Sequence, residues 1–172
     1  QELLLDELVR DAVLRFLPRA DAAGVDLGAQ GLDSPVSVRG HATLLEGILD
    51  NLLDNAFRYG LTPKRLPEAA DGQVFASEAH SKITVALTQQ DGLVSLRVMD
   101  NGPGLAPTES KRMKKRWVQG RTERIGRGAG LGLAIVSRYA EVLCADLFLE
   151  RSSPVDKAHA GLCARLTFRA QS

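Results

Sequence analysis

The 172-residue chain is predicted to be an α+β protein, a two-layer α/β sandwich in which a mixed, mostly antiparallel sheet carries helices on one face. Three observations predict this. Apolar residues recur at helical spacing over residues 3–17 and 44–59, and an apolar helical stretch at 133–143 follows a run of glycines. Apolar and polar residues alternate over 83–87, 94–98 and 162–168, the period of half-buried strands. Asp91-Gly92 stands between the first two of those strands, a strong hairpin signal.

The elements follow in order. Leu4, Leu5, Leu8, Val9, Ala12, Val13, Phe16 and Leu17 define an amphipathic helix that Pro18 is expected to end. Short apolar runs at 25–27 and 36–38, with turn residues between them, predict two small strands. The helix over 44–59 organises the rest of the chain. Leu45, Leu49, Leu52, Leu53 and Ala56 share one face, while Asn51, Asn55 and Arg58 line a neighbouring stripe. Thr43 and Glu46 have the spacing of a capping box, and Tyr59-Gly60 is a plausible stop. Residues 61–81, rich in Pro, Ala, Glu and Gly, read as a long surface loop. After the hairpin and the glycine-led helix, Leu147 and Leu149 suggest a strand, and Leu162, Ala164, Leu166 and Phe168 another. About six strands and three substantial helices result.

A chain of this length buries a core without staples and is read as one domain, residues 1–172. Its 22 Lys+Arg and 21 Asp+Glu leave a net charge of +1, but the balance is local. Residues 105–127 hold eight basic and two acidic side chains, a local +6. Cys144 and Cys163 have neither a second cysteine at metal spacing nor a nearby histidine, so neither a zinc site nor a disulfide scaffold is indicated. No apolar run approaches the ~20 residues a membrane-spanning helix needs. The chain opens on Gln inside an amphipathic pattern and is expected to be a fragment of a longer protein.

Two asparagines four apart on one helical stripe invite an explanation, because asparagine is a mediocre helix former. They are either a solvated polar face or a pair of amide oxygens that, with Arg58, addresses a metal–phosphate complex: hard Mg²⁺ takes oxygen ligands and shares them with nucleotide phosphates. The alternate glycines 126, 128, 130 and 132 before a helix read as a tight turn or as a phosphate cradle. A P-loop is excluded, since no Lys-[Ser/Thr] follows, and so is a Rossmann fingerprint, since no predicted strand directly precedes. Asp100, ending a strand before Gly102 and Gly104, is ordinary turn chemistry or a carboxylate that accepts the exocyclic amine of adenine and repels the carbonyl of guanine. The basic segment is a solvated surface, a nucleic-acid patch or a lid over a polyanion.

The order Asn-x-x-x-Asn-Ala, Asp-x-Gly-x-Gly, basic stretch, Gly-x-Gly-Leu-Gly-Leu-Ala-Ile-Val resembles the ATP-binding catalytic domain of sensor histidine kinases, over essentially the whole chain. The N box would run from Asn51 to Tyr59, the first glycine box from Asp100 to Gly104 and the second from Gly128 to Gly132. The resemblance implies a Bergerat-type sandwich shared with the Hsp90 chaperone, DNA gyrase and MutL. It implies ATP and Mg²⁺ as cofactors, with Asn51 and Asn55 binding the metal and phosphates, Arg58 and Arg116 contacting phosphate, and Tyr59 flanking the adenine. Asp100 would select the base, Gly102, Gly104, Gly128, Gly130, Leu131 and Gly132 would line the nucleotide, and residues 105–127 would form the ATP lid. Trp117 replaces the usual Phe of the F box, Ala129 stands where Ser or Thr is frequent, and the 61–81 loop is longer than typical.

The same resemblance separates kinase from hydrolase. In the hydrolytic relatives a Glu four residues before the metal-binding Asn activates water; here that position is Asn51, an amide that takes no proton. A neutral imidazole attacks phosphorus without prior deprotonation, so a histidine kinase needs no such base. The expected function is transfer of the γ-phosphoryl group of Mg-ATP to a histidine on a separate dimerisation and phosphoacceptor domain, then to a response regulator. That acceptor is expected before Gln1, because His41, His80 and His159 lack the Glu-x-x-x-Pro context of a family phosphoacceptor. The parent is expected to be a homodimer anchored in the bacterial inner membrane, with this domain cytoplasmic and no nucleic acid as partner. An ATP hydrolase of the same superfamily and a catalytically silent nucleotide-binding module are the alternatives.

Overall fold

A computed structural model describes residues 1–61, 80–104, 130–152 and 161–169. Among these are three helices and seven strands: β1 Glu2–Leu4, α1 Leu5–Ala23, β2 Asp26–Gln30, β3 Ser37–Arg39, α2 Ala42–Tyr59, β4 Lys82–Gln90, β5 Leu93–Asp100, α3 Gly130–Val142, β6 Asp146–Arg151 and β7 Leu162–Arg169. The main sheet has five strands in the order β2-β4-β5-β7-β6, and β1 and β3 form a separate two-stranded ribbon. β2 runs parallel to β4, whereas β4–β5, β5–β7 and β6–β7 are antiparallel, so the sheet is mixed and mostly antiparallel, as predicted.

Register explains why one face is greasy. Val85, Val98, Ala164 and Leu149 lie side by side across four strands, and Leu87, Leu96, Leu166 and Leu147 make the next row. Because side chains alternate along a strand, both rows point to the same side, and there they join one buried cluster with the apolar faces of all three helices. α1 supplies Leu5, Val9, Ala12 and Val13, α2 supplies Leu45, Ile48, Leu49, Leu52, Leu53, Ala56 and Phe57, and α3 supplies Leu133, Val136 and Ala140. The result is the α+β sandwich. The β4–β5 hairpin turns at Asp91 and Gly92, whose φ angles of 52° and 75° are those of the predicted two-residue turn.

Four expectations are corrected. α1 does not stop at Pro18 but runs on to Ala23. The hydrogen bond that proline cannot donate would go to the carbonyl of Leu14, and Leu14 is 56% exposed, so water can satisfy that carbonyl. The helix ends instead at Gly24, with φ 65° and its N–H on the carbonyls of Ala20 and Asp21. The first predicted helical residues, Leu3 and Leu4, belong to β1, whose partner β3 is remote in sequence. The capping box does not form: α2 begins at Ala42, its cap His41 makes no side-chain cap bond, and the His41 carbonyl takes the N–H groups of Leu44 and Leu45. Thr43 thus sits inside the first turn. The helix predicted from Leu133 begins earlier, at Gly130, so Gly132 lies in its first turn.

α2 and α3 pack closely and antiparallel. A methyl on Gly47 would lie 2.7 Å from the Tyr139 ring, and one on Gly132 would lie 3.1 Å from the Asn55 carboxamide. Moving along α2 from 47 to 55 therefore moves backwards along α3 from 139 to 132. This approach carries the amide stripe to the start of α3.

Candidate functional site

Two asparagines meet one glycine. At Gly132 a methyl would stand 3.1 Å from Asn55 Oδ1, 3.2 Å from Asn55 Nδ2 and 3.3 Å from Asn51 Oδ1, so both carboxamides occupy the space a larger residue would take. Asn51 Nδ2 donates to the Gly47 carbonyl one turn back at 2.7 Å. That bond leaves Asn51 Oδ1 as the end turned towards α3. Asn55 Nδ2 is buried and has no partner among the described residues. An orphaned buried donor costs about 1–3 kcal/mol and asks for a ligand.

The second cluster forms where α2 stops. Gly60 caps the helix with its N–H on the Ala56 carbonyl at 2.8 Å. A methyl there would lie 2.5 Å from the Asp100 carboxyl, and a methyl on Gly102 would lie 2.3 Å from the Gly60 carbonyl oxygen. Asp100 ends β5 and is 7% exposed. Its Oδ1 accepts the N–H groups of Gly102 at 3.0 Å and Leu162 at 3.1 Å, while Oδ2 faces the Gly60 backbone and takes no hydrogen bond among the described residues. Burial pushes its pKa up from 3.8, and the two backbone N–H groups oppose that rise without cancelling it.

The turn after Asp100 is tied on both sides. Gly161 donates to the Gly102 carbonyl at 3.0 Å, and the Ser152 hydroxyl donates to the carbonyl of Asp100. Asn101 accepts the Lys82 N–H at 2.7 Å and donates to the His80 carbonyl at 2.9 Å. Gly104 closes the first glycine box at φ 69°, against the Gly161 carbonyl. Asn101, Ser152 and Gly161 were not among the predicted site residues. Only their contacts across the chain reveal them, because a Ser-Ser or Ala-Gly step in a polar segment carries no signal of its own.

Arg58, in the last turn of α2, is 61% exposed, and its Nε pairs with Asp54 Oδ2 at 2.7 Å. Tyr59 is 46% exposed beside it. The last two turns of α2 therefore join both clusters: Asn51 and Asn55 against Gly132, then Gly60 against Asp100 and Gly102. Arg116, Gly128, the side chain of Leu131, the predicted lid and most of the 61–81 loop lie outside the described residues.

The arrangement suits a magnesium-bound phosphate group. Two amides turn towards a helix start, an amide N–H without a partner among the described residues stands beside them, and glycine leaves the backbone bare. It also offers a buried carboxylate whose open oxygen accepts but does not donate.

Comparison with known proteins is consistent with this geometry. Residues 40–172 match the family described as histidine kinase-, DNA gyrase B-, and HSP90-like ATPase. The chain is 35% identical over 115 residues to the sensor protein BasS of Escherichia coli, covering 67% of this chain and 26% of that protein. It is 32% identical over 139 residues to the sensor protein QseC of Salmonella typhi, covering 81% of this chain and 26% of the relative. The chain thus spans about a quarter of the length of these relatives. Among solved structures, the catalytic domain of the histidine kinase ThkA superposes with a TM-score of 0.73 at 16% identity, covering 99% of this chain and 96% of that one, a likeness of fold.

Proposed function

Because the chain belongs to the family of histidine kinase-, DNA gyrase B-, and HSP90-like ATPases, we propose that it is the catalytic, ATP-binding domain of a two-component sensor histidine kinase. It binds Mg-ATP and presents the γ-phosphoryl group to a histidine on a phosphoacceptor domain of the same parent, for relay to a response regulator. The parent is a homodimer anchored in the bacterial inner membrane, and this domain faces the cytoplasm. The observation that carries the reading is the convergence of Asn51 and Asn55 on Gly132, with the Asn55 amide left unpaired.

Each residue has a task. Asn51 and Asn55 are the side chains that hold Mg²⁺, which when bound neutralises charge on the phosphates. Asn55 Nδ2 and the backbone N–H groups at the start of α3, around Gly130, Leu131 and Gly132, donate to phosphate oxygens. Arg58 and Arg116 add charge-assisted donors, Arg116 from a lid over 105–127 that begins at Leu105 and leads to Gly128. Asp100 Oδ2 accepts the adenine amine in the room left by Gly60, Gly102 and Gly104, and Tyr59 flanks the ring. Catalysis comes from positioning and from charge stabilisation rather than from proton removal. Asn51 supports transfer over hydrolysis, because its carboxamide has no basic site and its nitrogen is already bonded to the Gly47 carbonyl.

Thermal unfolding with and without Mg-ATP tests the binding step. At a ligand concentration near 100 Kd one site adds about 2.7 kcal/mol of stability. Wild type should gain that protection and Asp100→Asn should lose most of it, and protection by GTP equal to that by ATP would overturn the role of Asp100. Labelled ATP added with the acceptor domain then separates the alternatives. A labelled histidine supports the kinase, rapid phosphate release by the chain alone supports a hydrolase, and binding without either supports a silent module.

A further inference from the structure

α1 lies outside the sequence motifs, yet it reaches the site through a chain of charges. Arg15 and Arg19 are one helical turn apart on α1, and Asp50 and Asp54 are one turn apart on α2; the pairs meet at 2.7 Å each. Arg15, Asp50 and Asp54, together with Phe16 and Asn51, border an open groove of about 320 Å³. The Asp54 carboxylate is shared. Oδ1 takes Nη1 of Arg19, and Oδ2 takes Nε of Arg58, both at 2.7 Å. Arg19 is itself held, its guanidinium 4.8 Å from the centre of the Phe57 ring and 5.9 Å from that of Phe16, and those two rings stack at 5.8 Å.

An arginine has two hydrogen-bonding edges, and the edge through Nε is the one Asp54 uses. Among the described residues the terminal Nη pair of Arg58 has no other carboxylate partner, which leaves it for a second anion. With both carboxylate oxygens engaged, Asp54 is oriented by α1 and in turn orients Arg58. From this we infer that Asp54 and Arg19 are positioning residues for Arg58: they hold its guanidinium with the terminal fork open to the phosphates, so that a displacement of α1 changes phosphate affinity without moving any residue of the nucleotide motifs. The inference rests on the reading of Arg58 as a phosphate contact. The three charges also sum to a net positive patch at the end of α2, so the carboxylate tethers the guanidinium without abolishing its attraction for an anion.

Calorimetric binding of ATP and of adenosine, both with Mg²⁺, to the 172-residue chain and its variants tests the relay. Arg58→Gln should weaken ATP about tenfold and leave adenosine unchanged. Asp54→Asn and Arg19→Gln should each weaken ATP about threefold and leave adenosine unchanged, and Asp54→Asn should add nothing once Arg58 is Gln. Arg19 and Arg58 are exposed and the Asp54 side chain is 34% exposed, so circular dichroism melts should stay close to wild type. If Arg58→Gln weakens ATP while Asp54→Asn and Arg19→Gln do not, or Asp54→Asn tightens it, the relay is overturned and the role of Arg58 stands. Equal loss of adenosine and ATP binding in Asp54→Asn makes the effect structural and also overturns the relay. If Arg58→Gln leaves ATP binding unchanged, the reading of Arg58 itself falls, and the relay with it.

Discussion

Asp100 is held charged-side inward with only part of its desolvation offset, and that leaves a thermodynamic signature. Its folded pKa lies above the unfolded 3.8. Between those two values the native state keeps a proton the unfolded state has released, so stability falls as pH rises through the window and levels off above it. Each unit of the difference is worth about 1.4 kcal/mol. Asp100→Asn keeps an oxygen for the N–H groups of Gly102 and Leu162 but does not titrate. Its unfolding free energy minus that of wild type should therefore rise across the window and then stay constant, and a difference flat from acid to neutral pH would remove the burial argument. The glycines make a second contrast. Alanine at Gly132 meets only the ends of two carboxamides at 3.1–3.3 Å, which can shift by tenths of an ångström, and alanine gains helix propensity of about 1 kcal/mol there. Alanine at Gly102 meets the Gly60 backbone oxygen at 2.3 Å, which cannot shift without moving the end of α2. Gly132→Ala should fold with a melting temperature no lower than wild type and lose most Mg-ATP protection, whereas Gly102→Ala should lose about 1–3 kcal/mol of stability before any ligand is added. Thermal melts of both variants, with and without nucleotide, check the pair.

At the scale of elements, α1 is the case where a local rule yields to packing. Proline removes one hydrogen bond and costs a helix interior about 3 kcal/mol, yet the turn beyond Pro18 buries Ala20 and places Arg19 on Asp54. Restoring the donor should be stabilising: Pro18→Ala is expected to raise unfolding free energy by about 1–2 kcal/mol once the lost rigidity of the unfolded chain is deducted. A denaturant melt showing a lower midpoint would mean the helix is built around the proline. This element also shows what was legible. The hairpin, α2 and its stop at Gly60 follow from periodicity and turn chemistry within a dozen residues, so sequence alone reveals them. β1 and β3 are three residues each and pair Glu2 with Arg39, a contact no local pattern encodes. The site divides the same way. Asn51, Asn55 and Asp100 were legible by type and spacing, but the second use of Gly60, as a wall against Asp100, the clamps from Ser152 and Gly161, and the tie from Asp54 to Arg58 exist only through tertiary contacts.

At the scale of the molecule, the sheet and the site have different mechanical characters. β4, β5 and β7 are each paired on both sides and packed under the helices, while β2 and β6 are edges. Their central amides should open only with global unfolding, giving the slowest hydrogen exchange. The site is assembled from segments remote along the chain: the end of α2, the turn after β5 and the first turn of α3, joined by contacts at Gly60 and Gly132 rather than by a shared ladder. A ligand that bridges them binds the native assembly and not its opened forms, so all three must gain protection together. Hydrogen exchange followed by mass spectrometry with and without Mg-ATP should slow residues 55–61, 100–104 and 130–134 in parallel, by up to about a hundredfold near 100 Kd, while the central amides of β4 and β7 change only as far as global stability rises. Protection confined to one of the three segments would mean the nucleotide rests on a single element, and the pocket joined through α2 would have to be abandoned.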